Sequence, residues 1–450
     1  MTHTAAADRG LERSLGVLSL SALVVGEVIA VGIFLTPAGM ARSLGSPMWV
    51  LIVWLVMGAM ALSGALCYGE LAARLPEAGG GYVYLRRAYG PLVAFLYGWK
   101  CLLVLDPGIT AALAVGLASY VGYSVDLTPV GLKVVAIAVI LALAGLNALG
   151  LRIGAGMIRW LTAFKLAALA AIVLLAIVLR RGDVANFLPL IAQRPGSDPL
   201  PLALAGGLVG AFFAFGGWWE ISKLAGEARD PARTVPRALA IGVAIVTAAY
   251  IITSAAFIYL VPLEGVTSGE TFAAQAGEAL FGGIGGHVFA AIVVVSVLGS
   301  LAALLMALPR VYYAMARDGV FFRPIAAVHP RFRTPARAIA LQAVLAAIFV
   351  MLGTFDQILG YFIFVTVFFL GLTVVAMFVL RRREGVGPFT TPAYPVTPLF
   401  FLLLVAVLLA LLGGNRPVQA ALGVGVVALG IPVYYLLFRG HLKSDGMSSP

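Results

Sequence analysis

Glu27, Lys100, Asp106, Lys165, Glu220 and Arg310 each interrupt a long apolar stretch of this chain. A charge in hydrocarbon costs roughly 2.5–3.5 kcal/mol for Asp, Lys or Arg on insertion scales, so such groups are expected to face a protein interior or water and to have a partner. Lys165 is the sharpest case. It stands six residues past Arg159, about 9 Å along a helix, in a segment (WLTAFKLAALAAIVLLAIVL) with no other charge before Arg180. Spacing alone leaves three uses open: an ammonium working in a site, a static ion pair, or a side chain that snorkels to the interface. Glu27 and Glu220 each have a bland reading, solvation in the cytoplasmic half of a pore for the first and pairing with Lys223 one turn away for the second. Asp106 precedes Pro107-Gly108 and reads as a brace for a kink or a partner for Lys100, and Arg310 reads as an interface anchor.

Glycine breaks two apolar segments, 26–34 (GEVIAVGIF) and 212–218 (FFAFGGW). In lipid every backbone N–H and C=O must be satisfied internally, so an unwound stretch is tolerated only where it is buried or lines a cavity. Two breaks in corresponding halves of a chain point to a central binding site at the membrane midplane. Glu27 lies inside the first break and Glu220 just beyond the second.

The elements that must position these residues are membrane helices. Of the 450 residues 62% are hydrophobic and only 11% charged, where soluble proteins use about 25% charged residues. At about 20 residues per span, the length accommodates about twelve. They are read at 15–44, 48–71, 90–122, 130–149, 157–180, 202–224, 238–261, 287–316, 337–354, 357–380, 397–413 and 418–438. The leader 1–13 is short and polar and does not follow a cleaved-signal pattern, so the first apolar stretch reads as a retained span.

The net charge of +11 is distributed by side. Twenty Lys and Arg fall in one set of loops, from Arg9 and Arg13 through Arg381, Arg382, Arg383, Arg439 and Lys443, against six in the other: Arg42, Lys133, Arg180, Arg181, Arg194 and Arg416. The positive-inside rule then puts both termini in the cytoplasm, with an even number of spans. The charge is thus a topology signal and not a nucleic-acid footprint. The Arg-rich loop 226–237 reads as a solvated cytoplasmic face, with an acidic lipid head group or a partner as the other reading.

Other chemistries find little support. Cys67 and Cys101 lie in apolar spans and read as small buried hydrophobes; His3, His287, His329 and His441 show no metal-ligand spacing, and no phosphate-binding G-x-x-x-x-G-K-[ST] run occurs. No metal, cofactor or ATPase is expected. An enzyme would need a nucleophile, a base and an orienting group in one region. An ion channel would need a continuous polar lining or rings of charge, whereas this sequence offers isolated charges near two breaks.

The order of motifs carries a resemblance. GIFLTP at 32–37, YGELAARLPEAGGGYVYLRRAYGPLVAFLYGW at 68–99, FFAFGGWWE at 212–220, GEARDPARTVPRAL at 226–239 and PRVYYAMARDG at 309–319 resemble, in combination, the amino acid-polyamine-organocation transporter superfamily. The similar branch is that of L-type amino acid transporters and bacterial amino acid permeases. The resemblance runs from about Leu15 to Arg383. It implies an all-α membrane protein of about twelve spans, with 14–181 and 202–383 as inverted repeats whose first helices are broken. Tails at 1–13 and 440–450 and a further pair of spans at 396–439 complete the expected organisation.

It also implies site roles. A zwitterionic substrate would place its carboxylate on backbone N–H groups of Val31, Gly32 and Ile33 and its ammonium on carbonyls near Val28, Ile29 and Phe213 to Gly216. Phe213 would fold over the substrate, with Phe215, Trp218 and Trp219 as wall. Lys165 matches the fifth-span lysine of sodium-independent members, its ammonium standing where a sodium ion would sit. Its partners would be carbonyls near Gly26 and Glu27 and the Ser296 hydroxyl, with Tyr250 lining the same region. A lysine that deprotonates in the cycle favours proton symport, and one that stays charged favours exchange. The implied activity is alternating-access transport of an amino acid across the plasma membrane, independent of sodium and coupled to protons. An obligatory exchanger, or an amine or polyamine permease using Glu220 as cation partner, are the alternatives.

Two departures stand out. Ala30-Val31-Gly32 replaces the usual Gly-Ser-Gly, and Glu27 occupies a position where a small neutral residue is commoner. A Glu27–Lys165 pair would make a proton-coupling element, while Trp219 in place of a smaller polar residue suggests a smaller substrate or a shallower pocket.

Overall fold

The computed structural model describes residues 11–30, 32–266, 271–352, 355–415 and 417–438. Val31 of the expected carboxylate site lies outside the described residues, as do His3, Arg9, Arg416, Arg439, His441 and Lys443 from the sequence reading. The described chain is helical, and its only β feature is an isolated bridge between Leu15 and Ala228.

The first broken element is α1 (Val17–Val28) followed by α2 (Gly32–Leu44), bent by 47°. Next come α3 (Pro47–Arg74), α4 (Gly81–Tyr89) and α5 (Pro91–Lys100). Ser46 starts α3 by accepting from the Trp49 N–H, with Pro47 at a position that needs no donor. A π turn at Cys101–Leu105 joins α5 to α6 (Asp106–Ser124). Pro107 lacks an N–H and its ring cannot fit a regular helix interior, and a widened π turn just before it absorbs the misfit. The chain continues through α7 (Pro129–Ala148) and α8 (Leu151–Val178) to the second broken element.

That element is α9 (Leu200–Ala214), a turn at Phe215 to Gly217, and a 3-10 helix at Trp218–Glu227. Gly217 has φ of +114°, a left-handed conformation that glycine adopts without a Cβ penalty. Then follow α10 (Pro231–Leu260), α11 (Thr271–Phe281), α12 (Gly285–Ala307), α13 (Pro309–Arg317), α14 (Ala336–Leu352), α15 (Phe355–Glu384), α16 (Val396–Asn415) and α17 (Pro417–Val433).

Among the described residues ten helices are long and apolar enough to cross a membrane, and the bent α1–α2 pair is an eleventh candidate. The shorter apolar α14 occupies the place of the expected ninth span. α1 is central: it packs against α8, α10 and α12, while α10 runs along α3. Outward faces carry exposed Trp160, Leu174, Leu403 and Leu436, as a lipid-facing surface requires.

Candidate functional site

Helix α1 stops at Val28 because the chain leaves helical geometry at Ile29, and α2 begins at Gly32. A helix end leaves carbonyls without an intrahelical partner. Here they are met by side chains from two other helices. The Lys165 ammonium on α8 donates to the Gly26 carbonyl at 2.9 Å and the Ile29 carbonyl at 2.6 Å, with the Ser300 hydroxyl on α12 at 3.2 Å. Ser300 reaches the same carbonyls, at 2.6 Å from Gly26 O and 3.2 Å from Ile29 O. Lys165 is 0% exposed, so it does not snorkel, and no carboxylate among the described residues pairs with it.

Close packing makes this reach possible. A Cβ added to Gly26 would stand 2.6 Å from the Thr162 hydroxyl, one turn before Lys165 on α8. Only glycine lets α8 approach this near. The expected hydroxyl partner is corrected by one turn: Ser300 binds the ammonium, whereas the buried Ser296 hydroxyl has no partner among the described residues. The expected carbonyl pair is also shifted, from Gly26 and Glu27 to Gly26 and Ile29.

Tyr250 on α10 ties the two breaks together. Its hydroxyl lies 2.8 Å from both the Val28 carbonyl and the Ala214 carbonyl. One hydroxyl proton serves two acceptors, so the two helix ends share a single donor. The Tyr250 ring packs edge-on against Trp54 and Phe215, at 5.1 Å in each case. Phe215 belongs to this packed cluster and does not line the cavity described next.

A cavity of about 70 Å³ lies between the breaks, lined by Glu27, Val28, Ala30 and Gly32 from the first and Phe212, Phe213, Gly216, Gly217, Trp219 and Glu220 from the second. Thr366 and Ile363 on α15 and Leu304 on α12 complete much of the wall. Of the expected substrate residues, Gly32, Phe213, Gly216 and Trp219 are therefore on the lining. Ile33 is buried away from it, and the Ile29 carbonyl is engaged by Lys165 and Ser300. The Trp219 ring stacks on Phe212 at 6.1 Å and 14°, and its indole N–H donates to Glu220 at 2.5 Å.

The charges divide into two groups. Glu220 forms an ion pair with Lys223, whose ammonium also lies 3.7 Å from Asp106. Asp106 accepts from the Tyr312 hydroxyl at 2.8 Å; that hydroxyl also contacts Gln342 at 2.7 Å, and Gln342 donates to Thr110 at 3.0 Å. The expected Asp106–Lys100 pair is absent: the Lys100 ammonium sits 4.8 Å over the Tyr97 ring instead, and the buried Lys223 takes Asp106. Glu27 stands apart. It faces the cavity beside Gly217 and not Lys165, so the expected Glu27–Lys165 pair is not formed.

Arg310 is another correction. It is buried and grips Glu227 with two hydrogen bonds, at 2.7 and 3.0 Å, instead of anchoring at an interface. Glu227 closes the 3-10 helix beyond the second break, and its carbonyl accepts from Leu15 at 3.0 Å while Leu15 accepts from Arg229 at 3.0 Å. Sequence spacing had no means of finding this pair, whose members are 83 residues apart.

An all-helical multi-pass membrane protein, with a largely apolar cavity that carries two carboxyl groups between two interrupted helices and their freed carbonyls held by an ammonium and hydroxyls, has the organisation of a solute transporter. Comparison with known proteins is specific about which kind. The family described as amino acid permease matches residues 15–437. The serine/threonine exchanger SteT of Bacillus subtilis (strain 168) is 32% identical over 441 residues, covering 95% of this chain and 97% of its own length. The human large neutral amino acids transporter small subunit 2 is 29% identical over 431 residues, covering 95% of this chain and 80% of its own. The human cystine/glutamate transporter is 29% identical over 434 residues, covering 95% and 85%. The chain belongs to the amino acid permease family, in the amino acid-polyamine-organocation superfamily, and is a membrane transporter and not an enzyme.

Proposed function

We propose that this protein carries an amino acid or a related amine across the plasma (inner) membrane by alternating access, without sodium and coupled to protons. Both termini would be cytoplasmic, with 14–181 and 202–383 as the two inverted repeats. One observation supports sodium independence above the rest: the Lys165 ammonium has the Gly26 and Ile29 carbonyls and the Ser300 hydroxyl around it. Carbonyl and hydroxyl oxygens are the ligands a small hard cation takes, so a tethered ammonium makes a free one unnecessary. The proton has two candidate stations, the buried Lys165 ammonium and the buried Glu27 carboxylate. Val31, Gly32 and Ile33 are the proposed carboxylate donors, the latter two at the start of α2 where N–H groups and the helix dipole favour an anion. Phe213 and Trp219 are the proposed gate and wall. Membrane lipid is the surrounding partner, and no metal or nucleic acid enters this reading.

Obligatory exchange is a second reading, favoured by the firm hold on Lys165, which suits a fixed tether, and by the similarity to a protein named an exchanger. Purified protein in liposomes separates the two. Uptake driven by an imposed proton gradient into empty vesicles supports the first reading; uptake that occurs only into vesicles preloaded with substrate supports the second. Conductance that does not saturate with solute contradicts both.

A further inference from the structure

The cavity between the breaks holds a carboxyl group that its walls do not answer. Glu27 is 3% exposed, it lines the cavity, and neither of its carboxylate oxygens has a hydrogen-bond partner among the described residues. The charges that act on it are those of Glu220, Lys223 and Asp106. Lys223 is already divided between the other two carboxylates. Lys165 is held by the carbonyls of Gly26 and Ile29, which flank Glu27 in sequence. Buried carboxylates are ordinarily paired, and an ionisable group inside a membrane protein that lacks a protein partner marks a ligand or ion pathway.

The apolar part of the lining agrees with a cationic visitor. Phe212, Phe213 and Trp219 bring three aromatic rings to the cavity, and ring faces attract an ammonium group. The Thr366 hydroxyl, also on the lining, has no partner among the described residues and is free to accept from one. With its carboxylate at the start of α2 and its ammonium on the carbonyls expected around Phe213 to Gly216, a neutral zwitterion leaves Glu27 unmet. A solute with one more ammonium meets it.

We infer that the substrate is an amino compound of net positive charge, a diamine or an amino acid with an ammonium side chain, and that Glu27 receives the additional ammonium. This rests on the proposed reading of the cavity as the substrate site and adds its charge preference. Gly32, at the start of α2, separates the two sources of such an ammonium: its backbone N–H has an anion to bind only if the substrate carries a carboxylate.

The full chain in liposomes tests this with labelled lysine, putrescine and norleucine, the last matching lysine without its side-chain charge. Wild type is expected to take up lysine or putrescine at concentrations at least about tenfold below norleucine, and an inside-negative potential should accelerate the cations. Glu27→Gln should raise the half-saturating concentration of the cations about tenfold to a hundredfold, the span of charge-assisted hydrogen bonds, with a smaller change for norleucine, and the unfolding temperature of the substrate-free variant reports that it is folded. Lysine beating putrescine assigns the amino acid, and the reverse assigns the diamine. Thermal unfolding of wild type gives an independent readout, with a larger upward shift from the cation than from norleucine. The inference is overturned if wild type carries norleucine and neither cation competes. It is equally overturned if Glu27→Gln keeps the cation preference and loses only its response to a proton gradient, which makes Glu27 a proton carrier. Uptake of no amino compound removes the transport reading itself.

Discussion

Replacing Lys165 with methionine keeps the length of the side chain and removes the ammonium that closes the first break. The ammonium makes two charge-assisted hydrogen bonds to carbonyls, at 2.9 and 2.6 Å, and a third contact to Ser300. Ser300 has a single hydroxyl proton and already lies near both carbonyls, so it satisfies one and leaves the other unpaired in a dry site. A lost hydrogen bond to a charged group is worth about 1.5–3 kcal/mol and a buried orphaned acceptor costs about 1–3 kcal/mol. Their sum, about 2.5 kcal/mol at the low end, approaches a hundredfold in the population of the assembled site. Lys165→Met is therefore expected to transport about a hundredfold more slowly in sodium-free liposomes, with a lowered unfolding temperature in detergent. Lys165→Ala leaves a space bounded by the same oxygens, and sodium should restore part of its rate. Wild-type uptake by Lys165→Met in sodium-free medium would refute the reasoning.

Three further outcomes follow from the geometry. Tyr250→Phe removes the proton shared by the Val28 and Ala214 carbonyls while keeping the ring between Trp54 and Phe215; initial-rate measurements should show about a twofold to tenfold loss, for roughly 0.5–1.5 kcal/mol of hydrogen bonding, and an unchanged rate counts against a bridge between the breaks. Gly217→Ala forces a side chain onto a φ of +114° with its Cβ 3.0 Å from the Glu27 side chain; about 1–3 kcal/mol of strain should appear as a lower unfolding temperature together with weaker substrate affinity. Arg310→Met strands the buried Glu227 carboxylate and should cost about 3–5 kcal/mol, whereas the double variant Arg310→Met/Glu227→Leu should recover much of it; equal destabilisation of single and double variants, read by thermal unfolding, would show that the pair is not the source.

What the sequence made legible was backbone chemistry. Glycine runs at 26–34 and 212–218 announce breaks because no other feature explains them in an apolar segment, and both appear where α1 and α9 end. Lys165 was legible as an isolated charge and its role as a brace followed from the family resemblance, but its hydroxyl partner was displaced by one turn, since Ser296 and Ser300 share a face of α12 and sequence cannot fix axial register. Pairings across long separations were not legible. Asp106 finds Lys223 and Arg310 finds Glu227 because the 3-10 helix after the second break turns its charged residues inward, whereas local spacing suggested Lys100 for Asp106 and an interface anchor for Arg310. The π turn at Cys101–Leu105 has no distinct composition and reveals itself only through Pro107.

The most direct test of the central claim is saturable uptake of an amino compound by the reconstituted protein with every sodium ion replaced by choline. Uptake is expected at the full rate, unchanged when sodium is restored, because Lys165 already occupies the oxygens around the first break. Uptake that appears only with sodium would contradict it.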